Sequence, residues 1–108
     1  MISQITAGQF DEQVASSAVP VLIEFFTDSC GACQQLLPLL AEIAAEREKT
    51  LRIFKFNAGD DPAFASRFRI AAVPNLILFQ NGTPIGQRSG YQPKRSLLSW
   101  IDSTVTTA

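Results

Sequence analysis

The sequence has no histidine among its 108 residues. That removes the commonest general base at neutral pH and the commonest metal ligand, and with them any Cys–His hydrolytic pair. Cysteine occurs only twice, too few for a four-ligand zinc site within one chain. No apolar run reaches membrane-spanning length, and no lysine–arginine cluster marks a nucleic-acid surface. Nine basic and ten acidic residues leave a net charge of −1, so neither a membrane nor a polyanion is implied as a partner. The opening MISQITAGQF has neither the basic segment nor the apolar core of a secretory signal. The mature form of an exported protein would read alike, so a cytoplasmic location is the default expectation. Internal repeats, low-complexity stretches and linkers are also missing. The length and a 46% apolar content therefore predict one domain over 1–108 with a core of its own, and nothing in the sequence demands more than a monomer.

What is present alternates between strand and helix signals. Gln4-Ile5 closes a short first strand, and Thr6 with Gln9 forms a capping box before a short helix with Phe10 and Val14 on one face. VPVLIEFF (19–26) is nearly all apolar and reads as a central strand buried on both sides, with Pro20 at its start. A long helix follows, with Cys33, Leu36, Leu37, Leu40, Ile43 and Ala44 on one stripe. Pro38 lies inside it and predicts a kink rather than a stop. LRIFKFN (51–57) alternates as a strand. Asp61-Pro62 then reads as an N-cap and first helical residue, with Phe64, Ala65 and Phe68 inward. NLILFQ and TPIGQRS flank Asn81-Gly82, a hairpin turn. Pro93 opens a last helix that carries Leu97, Trp100, Ile101 and Val105, with Trp100 read as structural. The order βαβαβαββα predicts right-handed parallel crossovers first and an antiparallel edge last: an α/β fold with a mixed sheet covered by helices.

The two cysteines are Cys30 and Cys33, in SCGAC, where the central strand gives way to the long helix. The first turn of a helix presents unpaired N–H groups and partial positive charge. A thiolate at Cys30 is stabilised there, and the thiolate is the form that attacks a disulfide. Cys33, three residues on, shares its helical face and lies within disulfide reach. The predicted cycle has Cys30 attack a substrate disulfide and Cys33 then resolve the mixed disulfide. Two buried structural cysteines, or a metal or iron–sulfur site shared between two chains, are the alternatives. CxxC beside a βαβ pattern favours the redox pair.

These features occur in a fixed order: CxxC after an apolar strand, Pro38 in the following helix, KFN, Val73-Pro74, an NG hairpin and Gly90. In that order the sequence resembles the thioredoxin family over essentially its whole length. The resemblance implies the thioredoxin fold, a central mixed five-stranded sheet flanked by four helices. It implies reduction of protein disulfides, no bound cofactor and no metal, and electrons from a thioredoxin-reductase-type donor. It also implies that Pro74 is cis and faces the cysteines, where an extended substrate segment adds to the loop through its backbone. Taken alone, Val73-Pro74 reads as an ordinary trans bond. Glu24 stands at the position of the family's buried acid and Lys55 at that of the lysine near it. Burial raises a carboxyl pKa, so Glu24 is expected to exchange a proton with Cys33, with Lys55 as its ion-pair partner. A purely structural ion pair, or a Glu24 that reaches the surface, is the alternative. Ser29, Gly31, Ala32, Val73, Gly90 and Tyr91 make up the expected substrate surface.

The sequence departs from the family pattern at this site. Ala32 replaces the usual proline and restores a backbone donor. The expectation is more N–H donation to the sulfur and a less reducing couple. Ser29 replaces a tryptophan beside the nucleophile and reads alternatively as a helix N-cap. Gly59 stands where an aspartate usually holds that tryptophan. Tyr91 is bulky where the family is small, either rebuilding the contact surface or simply exposed at a strand end. Asp28 adds a negative charge near Cys30. An oxidant or isomerase, and a binding module that keeps the fold as an adaptor, are the alternative functions.

Overall fold

The computed structural model describes residues 2–107. Its centre is β2 (Val21–Phe26). An unbroken apolar run such as this is stable only when both faces are covered, and Val21 to Phe25 are all buried. β2 lies parallel to β3 (Arg52–Asn57), which in turn pairs in parallel with the two-residue β1 (Ser3–Gln4). On its other side β2 runs antiparallel to β4 (Asn75–Gln80), which pairs antiparallel with β5 (Thr83–Ser89). The sheet order is β1-β3-β2-β4-β5. Pro20 stays outside the ladder, as its missing N–H requires, and its carbonyl accepts from the Arg52 N–H at 3.1 Å.

Alternation along the strands sorts their side chains onto two faces. Leu22, Ile53, Leu76 and Leu78 point toward α1 (Gly31–Glu46) and α3 (Lys94–Thr107), packing with Leu36, Leu40, Ile43, Leu97, Trp100 and Ile101. Ile23, Phe25, Phe54, Phe56 and Phe79 fill the opposite face with Phe10, Val14 and Phe64. This second layer is covered by α2 (Pro62–Ser66) and by the segment after β1. The short helix read there from the sequence is present, in irregular form. It is a 3₁₀ turn over Ala7–Gln9 running into a π-type turn over Asp11–Ala15. Gln9 still reaches back to accept from the Thr6 N–H at 2.9 Å. The looser turn brings both Phe10 and Val14 into the aromatic layer.

α1 continues through Pro38 without a stop. Pro38 is exposed, and Cys33, Leu36, Leu40 and Ile43 form the buried stripe while Leu37 and Ala44 flank it half-buried. Asp61 caps α2 by accepting from the Phe64 N–H at 3.1 Å, with Pro62 as the first helical residue. Asn81 and Gly82 take positive φ angles of 55° and 79°, the backbone that a two-residue hairpin demands. Gly82 is doubly constrained, because a Cβ there would lie 2.9 Å from Ala15 Cβ.

Candidate active site

Four strands have a terminus at one end of the sheet. β2 and β3, being parallel, both finish there, and β4, being antiparallel to β2, begins there: Phe26 pairs with Asn57, and Phe25 with Asn75. The cysteine turn therefore leaves β2 beside the Val73–Pro74 segment that enters β4. β5 also ends there, with Ser89 opposite Asn75.

The chain after β2 forms a turn in which the Cys30 N–H donates to the Thr27 carbonyl at 3.2 Å. Cys30 is then the N-cap of α1, and its Sγ accepts from the Cys33 N–H at 3.1 Å. The position usually filled by a serine or aspartate oxygen is filled here by sulfur. Ser29 is exposed one residue earlier and makes no capping bond, so the capping alternative for it does not hold. The donor to the sulfur is Cys33, and the N–H that Ala32 restores makes no bond to it, contrary to expectation. The cause is positional. A side chain at the N-cap meets the N–H groups of the second and third helical residues, and here the third takes it.

Cys30 and Cys33 are joined as a disulfide with a Cα–Cα distance of 5.3 Å, within the usual range for such bonds. Their exposures differ. Cys30 is partly exposed, whereas Cys33 is buried under α1 at 2%. The Val73–Pro74 peptide bond is cis. Pro74 is buried, Val73 half-buried, and the Pro74 carbonyl accepts from the Gly90 N–H at 2.9 Å. Gly90 has φ +86°, a conformation glycine adopts without cost. Tyr91 follows it, 48% exposed, the one large apolar side chain so exposed among the described residues. Gly31 is exposed and Ala32 half-buried.

Glu24 sits in the middle of β2 and shares the parity of Leu22, so it points to the face covered by α1, the helix that carries Cys33. It is fully buried, which disposes of the alternative in which it reaches the surface. Neither carboxyl oxygen has a hydrogen-bond partner. Burial accordingly pushes its pKa from 4.5 up to about 7, only partly offset by the positive charge of Lys55.

Lys55 is the register partner of Glu24 on β3 and is half-buried, but it forms no ion pair with it. The Lys55 ammonium lies over the Phe26 ring, 5.5 Å from its centroid, and the side chain lines a groove with Gln34, Leu37, Pro38 and Ala41. The expected Glu24–Lys55 contact is thus replaced by a longer-range attraction. A charged lysine avoids full desolvation this way, which a pair beneath the helix would impose. The sequence reading assigned no role to Asn57, the buried residue that ends β3 and bonds to Asp28 at 3.2 Å. Its signal was a polar residue closing an apolar strand just before a glycine-containing turn.

A family model described as Thioredoxin matches residues 1–103. The chain is 33% identical over 105 residues to a thioredoxin of Rickettsia felis, covering 97% of this chain and all of that protein. It is 32% identical, over the same shares, to a thioredoxin of Rickettsia prowazekii. It is also 34% identical over 102 residues to a bifunctional thioredoxin reductase/thioredoxin of Mycobacterium leprae, covering 94% of this chain and 22% of that protein.

Proposed function

The chain belongs to the thioredoxin family and is a thiol–disulfide oxidoreductase whose redox pair is Cys30–Cys33; from that premise we propose that Cys30 is the attacking thiolate, Cys33 the resolving thiol and Glu24 the acid–base that serves Cys33. The observation that carries the assignment is the unequal exposure of the two sulfurs. Only a sulfur that substrate can reach is able to open an external disulfide. Cys30 has that access and also the Cys33 N–H at 3.1 Å to steady its negative charge.

The reduced protein attacks as follows. Cys30 thiolate bonds to one sulfur of the substrate disulfide, and the other leaves as a thiolate. Cys33, giving its proton to the Glu24 carboxylate, attacks Cys30 Sγ and breaks the mixed disulfide. The second substrate sulfur leaves, and two electrons have passed from the dithiol to the substrate. Near neutral pH a carboxyl with pKa about 7 exists in both forms, so it can take that proton and return it in the reverse direction.

Ser29, Gly31, Ala32, Val73, Gly90 and Tyr91 form the surface around the sulfur in this reading, with Pro74 as its floor. An extended segment of a protein substrate lies along Val73–Pro74, and Tyr91 supplies the aromatic contact. The electron donor is of the thioredoxin-reductase type, a reading supported by the fused reductase of the Mycobacterium leprae relative. Such a reductant works in a reducing compartment such as the cytoplasm, as a single-domain monomer.

The test couples the protein to a thioredoxin reductase and NADPH, with a disulfide-bonded protein as acceptor. NADPH oxidation that requires all three components is expected. Acceptor reduction by dithiothreitol-charged protein without reductase turnover would reject the donor assignment alone. No acceptor reduction under either condition would reject the reductant.

A further inference from the structure

Asn57 is a buried polar side chain that the redox chemistry above does not use. It ends β3, opposite Phe26 at the end of β2. Both ends of its carboxamide are bonded. Nδ2 donates to Asp28 Oδ1 at 3.2 Å, and Oδ1 accepts from the Gly59 N–H at 2.9 Å. The second bond closes a turn in which the Asp60 N–H also donates to the Asn57 carbonyl at 3.2 Å. The first crosses to the Thr27–Cys30 turn. Among the described residues it is the one side-chain hydrogen bond that links this turn to another strand.

Gly59 fits the same arrangement. A Cβ at position 59 would lie 3.2 Å from Asn57 Oδ1 and 3.8 Å from Thr27 Cγ2. The bare backbone at 59 and the carboxamide at 57 are therefore matched: without a side chain there, the Gly59 N–H and the Asn57 oxygen meet unhindered.

We propose that Asn57 is a positioning residue for the nucleophile, its carboxamide tying Asp28 to the end of β3 and so fixing the turn that presents Cys30. The proposal rests on the reading of Cys30 as the attacking thiolate. A fixed turn keeps Cys30 Sγ on the Cys33 N–H before the sulfur ionises, so no reorganisation is needed when charge appears. A loose turn lets the sulfur leave that donor, and the thiolate is then less favoured. The bond also holds the Asp28 carboxylate at the end of β3, where it is not free to swing toward the sulfur and repel it.

The test separates the tie from the charge. Asp28→Asn removes the charge and keeps an oxygen to accept from Asn57; Asp28→Ala removes both; Asn57→Ala removes the donor. Each full-length variant is reduced and treated with iodoacetamide at pH 7, and the modified residue is identified by mass spectrometry. Cys30 of Asp28→Asn is expected to react at least as fast as the wild type. Asp28→Ala is expected to react roughly fivefold more slowly than Asp28→Asn, the scale of one lost hydrogen bond. Asn57→Ala is expected to be slower than wild type by a similar factor. Asp28 is exposed, so its variants fold even if Asn57→Ala does not. Equal rates for Asp28→Ala and Asp28→Asn would overturn the proposal and leave Asn57 a structural residue. Faster alkylation at Cys33 than at Cys30 in the wild type would instead remove the nucleophile assignment on which the proposal stands.

Discussion

Replacing Cys33 with serine is expected to turn a catalyst into a trap. In the proposed two-step exchange Cys33 is needed only to release the substrate, so Cys33→Ser should still attack through Cys30 and then stall. Mixed disulfides should accumulate on Cys30 when the variant is mixed with a disulfide-bonded protein, visible as a mass increase that dithiothreitol reverses. Cys30→Ser should give no such adducts. Its turnover should fall on the order of a thousandfold or more, the scale seen when a covalent nucleophile is removed. The two variants are unequal because the two sulfurs are: one is partly exposed at the helix N-cap, the other buried beneath the helix. Adducts on the remaining sulfur of Cys30→Ser, or equal residual activity in both variants, would show that the roles are reversed or shared.

The second large effect concerns Glu24, where stability and activity should move in opposite directions. A carboxyl whose pKa is raised in the folded state binds protons more tightly there than in the unfolded chain. The stability contributed by protonating Glu24 is therefore fully present below pH 4.5. It declines as pH rises from 4.5 toward 7 and is lost above that. A rise from 4.5 to about 7 corresponds to about 3 kcal/mol at ~1.36 kcal/mol per pH unit. Glu24→Leu removes a buried group with two unbonded oxygens and replaces it with apolar volume on the sheet face that Leu22 and Leu76, the register partner of Glu24, also occupy. At pH 8 the variant should gain about 3 kcal/mol in denaturant unfolding, and the gain should shrink toward acid pH. At the same time the resolving step should slow roughly tenfold to a hundredfold, because Cys33 has lost its proton acceptor. A variant that is more stable and equally fast would make Glu24 a burden on the fold with no catalytic use.

Much of this was legible in the sequence, for definite reasons. The run Val21–Phe25 could only be a strand covered on both faces, and Asp61-Pro62 and Asn81-Gly82 specify backbone geometry locally. Those elements fall where the residues place them. The cysteine pair is readable for the same reason: its position between a strand and a helix follows from the pattern on either side. The short first helix is legible from Phe10 and Val14, but its irregular form is not, because their spacing does not distinguish an α-turn from the wider turn that brings both side chains into the aromatic layer. The position of the Lys55 charge is not legible, because the family resemblance sets this lysine near Glu24 without saying where its flexible stem carries the ammonium. The tie from Asn57 to Asp28 joins residues 29 apart, and no local pattern encodes such a contact.

The central claim is that Cys30 and Cys33 form a dithiol–disulfide couple poised to reduce other proteins. Its most direct test is the reduction potential, obtained by equilibrating the protein in graded thiol–disulfide buffers, quenching by alkylation and counting alkylated cysteines by mass. The expected result is a reversible two-electron couple with a potential below the cytosolic glutathione poise of about −220 to −260 mV by extraction methods. A potential well above that range would make the protein an oxidant or isomerase, and the absence of a reversible couple would leave the fold as a binding module; either would contradict the account.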